Sequence, residues 1–324
     1  MISKGCLLCR EGAKMVLFVT GICNRTCWYC PLSAKRKGKD VVYANDREVF
    51  SDEDVIEEAE QMGALGTGVT GGDPLLVMDR TVHYLRLLKD YFGPEHHVHL
   101  YTGIAPDRDQ LERLRGLVDE IRLHPPYEIW ESVTESEYIK AVKLARELGF
   151  DVGFEVPSLP GIQVLESALP YLDFLNINEL EWGESCASEM RRRGFSTDDA
   201  GHNAVSGARE WAEELCTHRK VHFCSSTYKD SVQLRERLKR IAARTMRQFD
   251  EVTDDGTVIY AEYRPDRDIA NVTANIEEGL YALGKDYIET AWWLVEDLIE
   301  RFGGSANIIE RYPNKGMIVE VMPV

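Results

Sequence analysis

The sequence predicts an α/β protein, in which a parallel sheet curls into a partial (β/α) barrel over residues 1–230 and a small α+β domain follows over residues 245–324. Three observations carry this. Short apolar runs alternate with amphipathic stretches of about 10–15 residues, the pattern of βα units whose crossover helices return the chain to a parallel neighbour. Polar residues gather at the trailing ends of the apolar runs. The alternation stops beyond the helix that ends near residue 246.

Taken in order, strand-like runs lie at 15–19, 66–70, 98–101, 120–123, 152–156 and 174–178, with a seventh at 220–224. Between them, residues 51–62, 80–91, 107–117, 134–148, 163–171 and 206–215 place apolar side chains at helical spacing. In a parallel barrel the functional groups collect where strands end. Those ends are unusually polar: Tyr101 and Thr102, Arg122 and His124, Glu155, then Asn176, Asn178, Glu179 and Glu181. A strand repeats every two residues, so Arg122 and His124 share a face, as do Asn176 and Asn178. A wet pocket is expected there.

After the seventh strand, residues 231–246 read as a basic helix carrying Arg235, Arg237, Lys239, Arg240 and Arg244, which presents a solvated face or, alternatively, one turned to a phosphate backbone or an acidic protein partner. Residues 249–260 have the Asp255-Gly256 punctuation of a β-hairpin. Helix is expected from about 271 to 301, with Trp292 and Trp293 filling core, and strands at 306–310 and 317–321 close the chain.

The most informative motif is Cys23-Asn24-Arg25-Thr26-Cys27-Trp28-Tyr29-Cys30, a C-x3-C-x2-C loop directly behind the first strand. A cubane iron–sulfur cluster takes four thiolates, so three leave one iron open to a small molecule. A closed structural zinc site needs four protein ligands, which this loop alone does not supply. Downstream, Gly71-Gly72-Asp73-Pro74 follows the second strand. Paired glycines permit close backbone approach and positive φ, letting main-chain carbonyls face a ligand's ammonium group.

Other cysteines allow two ligand sets. In one, Cys6, Cys9 and Cys224 hold an auxiliary iron–sulfur cluster or metal, with His222 or a substrate atom as the fourth ligand. In the other, Cys6 and Cys9 join Cys216 and His218 as a closed zinc site. Cys186 reads as an ordinary thiol.

The cysteine loop, with the aromatic Tyr29 before its third cysteine, resembles that of the radical S-adenosylmethionine superfamily. Gly71-Gly72-Asp73-Pro74 is similar to the superfamily's Gly-Gly-Glu-Pro element, with Asp73 replacing the usual Glu. The glycine-rich fifth strand of the family is kept only in part, in Gly153-Phe154-Glu155-Val156-Pro157. The resemblance covers roughly residues 14 to 225 and looks nearest to an archaeal group related to pyruvate formate-lyase activating enzymes. It implies a 4Fe-4S cluster on Cys23, Cys27 and Cys30, with S-adenosylmethionine bound through its amino and carboxylate groups at the open iron. It further implies reductive cleavage to a 5′-deoxyadenosyl radical that abstracts hydrogen from a substrate, and an electron donor such as ferredoxin or flavodoxin. Tyr29 would lie beside adenine; Gly71, Gly72 and Asp73 near the methionyl amine; Arg122 and His124 at the ribose or carboxylate.

The 324-residue chain is 44% hydrophobic, ample for a real core, and its formal net charge of −17 disfavours non-specific nucleic-acid binding. Among a protein, a tRNA nucleoside and a small metabolite as substrate, the charge and the additional C-terminal domain favour a protein, with that domain recognising substrate or partner. An iron–sulfur electron carrier or a zinc scaffold would have no use for the Gly-Gly-Asp-Pro element. Neither a signal-peptide core nor a run of eighteen apolar residues is present, so a soluble, cytoplasmic protein without membrane partners or structural disulfides is expected.

Overall fold

The computed structural model describes residues 2–197 and 203–324. The chain forms two compact units, Met1–Glu60 with Ala64–Gln233, and Gln61–Gly63 with Leu234–Val324.

In the first unit the strands are β1 (Lys14–Phe18), β2 (Tyr43–Ala44), β3 (Arg47–Glu48), β4 (Gly66–Thr70), β5 (His97–Thr102), β6 (Glu120–Leu123), β7 (Asp151–Pro157), β8 (Leu175–Asn178) and β9 (Val221–Cys224). They form one sheet in the order β3-β2-β1-β4-β5-β6-β7-β8-β9. All neighbours from β1 through β9 are parallel, while the short β2 and β3 extend the β1 edge antiparallel. Among the described residues β1 and β9 do not pair, so the barrel stays open.

The period of two sorts the strand residues into two layers. Val16, Gly68, Tyr101, Arg122, Glu155, Asn176 and His222, one from each parallel strand, line a single internal cavity of about 420 Å³. The alternate set, including Leu17, Val69, Leu100, Ile121, Phe154 and Ile177, is fully buried. Apolar residues of the helices α2 (Asp52–Gln61), α3 (Met78–Phe92), α4 (Arg108–Leu114) and α5 (Glu137–Glu147) are buried with them. The apolar layer is therefore outside the sheet and the polar layer inside it. A capping box at Asp107 and Gln110 starts α4.

The sequence reading has no counterpart for the first helix, Lys4–Arg10. Its N-cap is Ser3, whose hydroxyl accepts from the Cys6 amide. Gly5 lets this helix press onto the barrel: its amide donates to Glu120 Oε2 at 3.1 Å, and a Cβ there would lie 2.5 Å from Arg122 Nη2. Further along, the expected helix 163–171 is a 3-10 segment, Ile162–Ala168.

The second unit is an antiparallel sheet of β10 (Glu251–Val252), β11 (Val258–Arg264), β12 (Tyr281–Leu283), β13 (Ile288–Thr290), β14 (Ser305–Arg311) and β15 (Ile318–Pro323). Its path is β12-β13-β11-β14-β15, with β10 on β11 as the expected hairpin. Ala261, Tyr263, Val272, Ile288, Val295 and Leu298 form its core. The expected helix over 271–301 is incorrect in its middle. Helix persists only at Ile269–Thr273 and Val295–Phe302, and β12 and β13 lie between. Gly279, at φ +90°, and Gly284 break the helical run, and β13 beyond them alternates between buried and half-buried residues as a strand does. Trp292 and Trp293 sit in a 3-10 turn, 37% and 47% exposed, so the core-filling reading is also corrected; Trp292 Nε1 instead donates to Glu251 at 2.6 Å. The basic helix Arg235–Thr245 is anchored as well as solvated, with Arg240 donating to the carbonyls of Met62 and Gly63. No described helix is long and apolar enough to cross a membrane.

Candidate active site

Behind β1 the chain makes the loop that carries the three clustered cysteines. Cys23, Cys27 and Cys30 line one cavity of about 390 Å³, together with Tyr29, Gly71, Gly72, Thr102, Gly103 and His124. The loop is pinned by its own backbone: Gly21 donates to Lys39 O and Gly38 donates to Gly21 O, both at 2.8 Å. Arg25, which the sequence reading left without a role, donates through Nη1 to the carbonyls of Gly103 (3.2 Å) and His124 (2.5 Å). It thereby ties the cysteine loop to the ends of β5 and β6. Trp28 stacks on Phe195 at 5.3 Å on the loop's other side.

The Gly-Gly-Asp-Pro element works differently from the expectation. Neither Gly71 nor Gly72 has positive φ. What they supply is room. A Cβ on Gly71 would lie 2.6 Å from Thr20 O, and one on Gly72 would lie 2.2 Å from Ile22 O. Instead the Gly72 amide donates to Thr20 O (2.6 Å) and the Asp73 amide to Ile22 O (2.8 Å), so the element grips the entrance to the cysteine loop.

Asp73 is fully buried and is not part of the cavity wall. Its carboxylate accepts from the Leu75 amide (3.0 Å), the Thr102 hydroxyl (2.9 Å) and the Gly103 amide (2.8 Å). Burial raises its pKa, against the lowering effect of these donors. The side chain holds the Thr102–Gly103 edge in place and caps the turn Pro74–Val77.

His124 stands between two cavities, lining both, as do Tyr29, Thr70 and Tyr101. Burial, then the neighbouring Arg25 guanidinium, lowers its pKa to about 4, so it is neutral at pH 7. The Nδ1 to Glu155 O contact at 2.9 Å requires a proton on Nδ1, because a carbonyl only accepts. Nε2 is then the acceptor for the Tyr29 hydroxyl at 2.9 Å. This fixes the Tyr29 ring beside the cysteines.

Arg122 is not on the cysteine cavity. It lies inside the barrel, where its guanidinium donates to Glu120 (2.6 Å), Tyr101 (3.0 Å), Glu155 (2.6 Å) and Ser3 (3.1 Å). Glu155 also accepts from Asn176 and Asn178. Burial alone would raise the Glu155 pKa, but Arg122 and the two amides outweigh it and the net shift is downward. The same internal cavity is lined by Cys6, Cys9, Cys224 and His222. Cys216 and His218 are not among its residues; Cys216 is exposed, and the alternative zinc set is not assembled. Cys186 is buried against Gly183 O and Met190.

Residues 17–164 match the sequence family described as the Radical SAM superfamily, and residues 256–324 match a Domain of unknown function (DUF8061). A Methanocaldococcus jannaschii protein named "Putative glycyl-radical enzyme activating enzyme" is 40% identical over 275 residues, spanning 80% of this chain and 72% of its own. The chain belongs to the radical SAM superfamily. Among solved structures this radical SAM chain is similar to Streptococcus suis SuiB bound to S-adenosylmethionine, with a TM-score of 0.43 and 12% identity over 66% of this chain and 50% of SuiB. HydG, a maturase of the [FeFe]-hydrogenase, gives a TM-score of 0.39 and 18% identity over 54% of this chain and 46% of HydG. The radical SAM chain therefore spans about half the length of these solved structures.

The superfamily implies a 4Fe-4S cluster and S-adenosylmethionine, and the radical SAM cavity fits both. Among the described residues its wall holds three thiols and no fourth cysteine, aspartate or glutamate, and both ring nitrogens of its histidine, His124, are hydrogen-bonded, to Tyr29 and to Glu155 O, which suits a cluster with one open iron. Next to the thiols run the side-chain-free edges of Gly71, Gly72 and Gly103, where a polar ligand can reach the backbone.

Proposed function

We propose that this chain is a radical S-adenosylmethionine enzyme that acts on a protein, with Cys23, Cys27 and Cys30 holding a 4Fe-4S cluster. The convergence of these three thiols on one cavity with Tyr29, Gly71 and Gly72 carries the proposal. When bound and reduced, the cluster supplies the electron that cleaves S-adenosylmethionine to methionine and a 5′-deoxyadenosyl radical. The chain's own residues position the partners. The Tyr29 ring, held by His124, is a flat surface for the adenine. The Gly71–Gly72 edge and Thr102–Gly103, held from behind by Asp73, face the methionyl end.

Arg25 keeps the cysteine loop closed onto β5 and β6, which limits water at the open iron. The wall of Tyr29, Thr70, Tyr101 and His124 is shared with the barrel interior, so a substrate group can lie close to the nucleoside. A protein substrate is supported by the name of the Methanocaldococcus jannaschii relative and by the chain's acidic charge. The second unit is proposed to recognise that substrate or a partner; its edge strand β15 exposes every residue along its length. A low-potential donor such as ferredoxin or flavodoxin would supply the electron.

The test is 5′-deoxyadenosine formation by anaerobically reconstituted, reduced protein given S-adenosylmethionine, run beside Cys27→Ala. Product from the wild type, and none from a folded Cys27→Ala variant, is the expected result. Equal product from both would refute the ligand assignment.

A further inference from the structure

Inside the barrel, three thiols brought together from distant parts of the sequence share one cavity with no role in the chemistry so far. Cys6 and Cys9 come from the N-terminal helix, one turn apart on a face turned to the barrel, and Cys224 comes from the end of β9. Burial raises the pKa of all three thiols, Cys9 to about 12 and Cys224 to about 11, and two of the three sulfurs accept a hydrogen bond. Arg122 Nη2 donates to Cys6 Sγ at 3.5 Å, and Gln233 Nε2 donates to Cys224 Sγ at 3.4 Å. Hydrogen bonds from cations and amides to ligating sulfur are how proteins hold and tune thiolate-bound metal centres.

One further observation points to a bound group. The buried His99 Nδ1 and Asn176 Oδ1 have no hydrogen-bond partner, and both residues, each 2% exposed, line this cavity. Buried polar atoms without partners are rare in folded proteins and mark places where a ligand or water completes the network. Among the described residues neither these three thiols nor Cys23, Cys27 and Cys30 are grouped as a single-ion site. A closed zinc site needs four protein ligands drawn to one centre, whereas a cluster can rest on three thiolates.

We propose that Cys6, Cys9 and Cys224 hold a second iron–sulfur cluster in the barrel interior, with its fourth position facing the cavity that His222 also lines. This site stands on residues separate from the Cys23–Cys30 loop, and its test separates the two.

The experiment is anaerobic reconstitution with iron and sulfide of full-length protein in three forms: wild type, Cys23→Ala/Cys27→Ala/Cys30→Ala, and Cys6→Ser/Cys9→Ser/Cys224→Ser. Iron, acid-labile sulfide and zinc are assayed, and folding is checked by circular dichroism. Each triple variant is expected to keep about half the wild-type iron and sulfide. A folded Cys23→Ala/Cys27→Ala/Cys30→Ala protein without iron, or with one zinc and no sulfide, would overturn the proposal. Loss of iron from the Cys6→Ser/Cys9→Ser/Cys224→Ser protein alone would instead count against the cluster on the Cys23–Cys30 loop. Gln233→Leu, made in the Cys23→Ala/Cys27→Ala/Cys30→Ala background, removes the donor to Cys224 without touching a ligand. It should move the remaining centre to a more negative midpoint potential; an unshifted midpoint would remove Cys224 from the ligand set and overturn the assignment.

Discussion

At the scale of single residues, the candidate site depends on side chains that never reach its cavity. Asp73 is the clearest case. Its two oxygens satisfy the Leu75 amide and the Thr102 hydroxyl, both buried, and the part-buried Gly103 amide. Removing the carboxylate strands those donors, and each buried unsatisfied group costs about 1–3 kcal/mol. Asp73→Ala should therefore lower unfolding free energy by about 3 kcal/mol in urea melts and weaken S-adenosylmethionine binding through a displaced Gly103. Asp73→Asn keeps one acceptor oxygen and should lose less. If Asp73→Ala were as stable as the wild type, the positioning role would be wrong. Arg25, which does line the cavity, also acts by positioning, through two carbonyls, those of Gly103 and His124, which lie 78 and 99 residues away. Its neighbours in sequence gave no hint of this, because a lone arginine between two cysteines reads as charge around a loop.

At the scale of elements, the strands were legible and the irregular pieces were not. The seven parallel strands follow from short apolar runs set between stretches of helical spacing, a pattern that needs no tertiary information, and residues 66–70 and 120–123 match β4 and β6 end for end. The helix Lys4–Arg10 was missed because its burial depends on Gly5 meeting Glu120 and Arg122, partners fixed only when the sheet closes. β12 and β13 were missed because a three-residue strand has too few alternations to outweigh the helical spacing around it. The cysteine loop was legible because its spacing is local. The function of Gly71 and Gly72 was only half legible: the need for glycine was clear, but it arises from loop-to-loop packing and not from positive φ. Gly72→Ala puts a Cβ 2.2 Å from Ile22 O, a contact that backbone cannot relieve without moving the loop. The variant should keep the far-ultraviolet spectrum of the fold while retaining less than about half the wild-type iron on the Cys23–Cys30 loop. Normal iron loading in Gly72→Ala would show that the loop tolerates the shift.

At the scale of the whole molecule, the barrel is a shell with polar residues inside and apolar residues outside, and its stability must depend on pH. His96, His97 and His124 are each held neutral, chiefly by burial, with pKa values lowered to about 4, about 3 and about 4. In the unfolded chain they titrate near 6.5. Between about pH 6.5 and 4 the unfolded state therefore binds protons that the native state refuses. Stability is complete above 6.5 and falls as pH drops through that window. His96 is the cleanest probe, because it lies outside both cavities and its ring, stacked on Phe92, hydrogen-bonds Thr67 at 2.8 Å. Its depression from 6.5 to about 4 corresponds to roughly 3 kcal/mol. His96→Gln can still hydrogen-bond Thr67 but cannot take up a proton. Urea melts of wild type and variant at pH 7 and pH 4.5 should show the wild type losing about 2–3 kcal/mol more than the variant over that interval. Equal losses would mean that His96 is protonated in the native barrel and that acid sensitivity arises elsewhere.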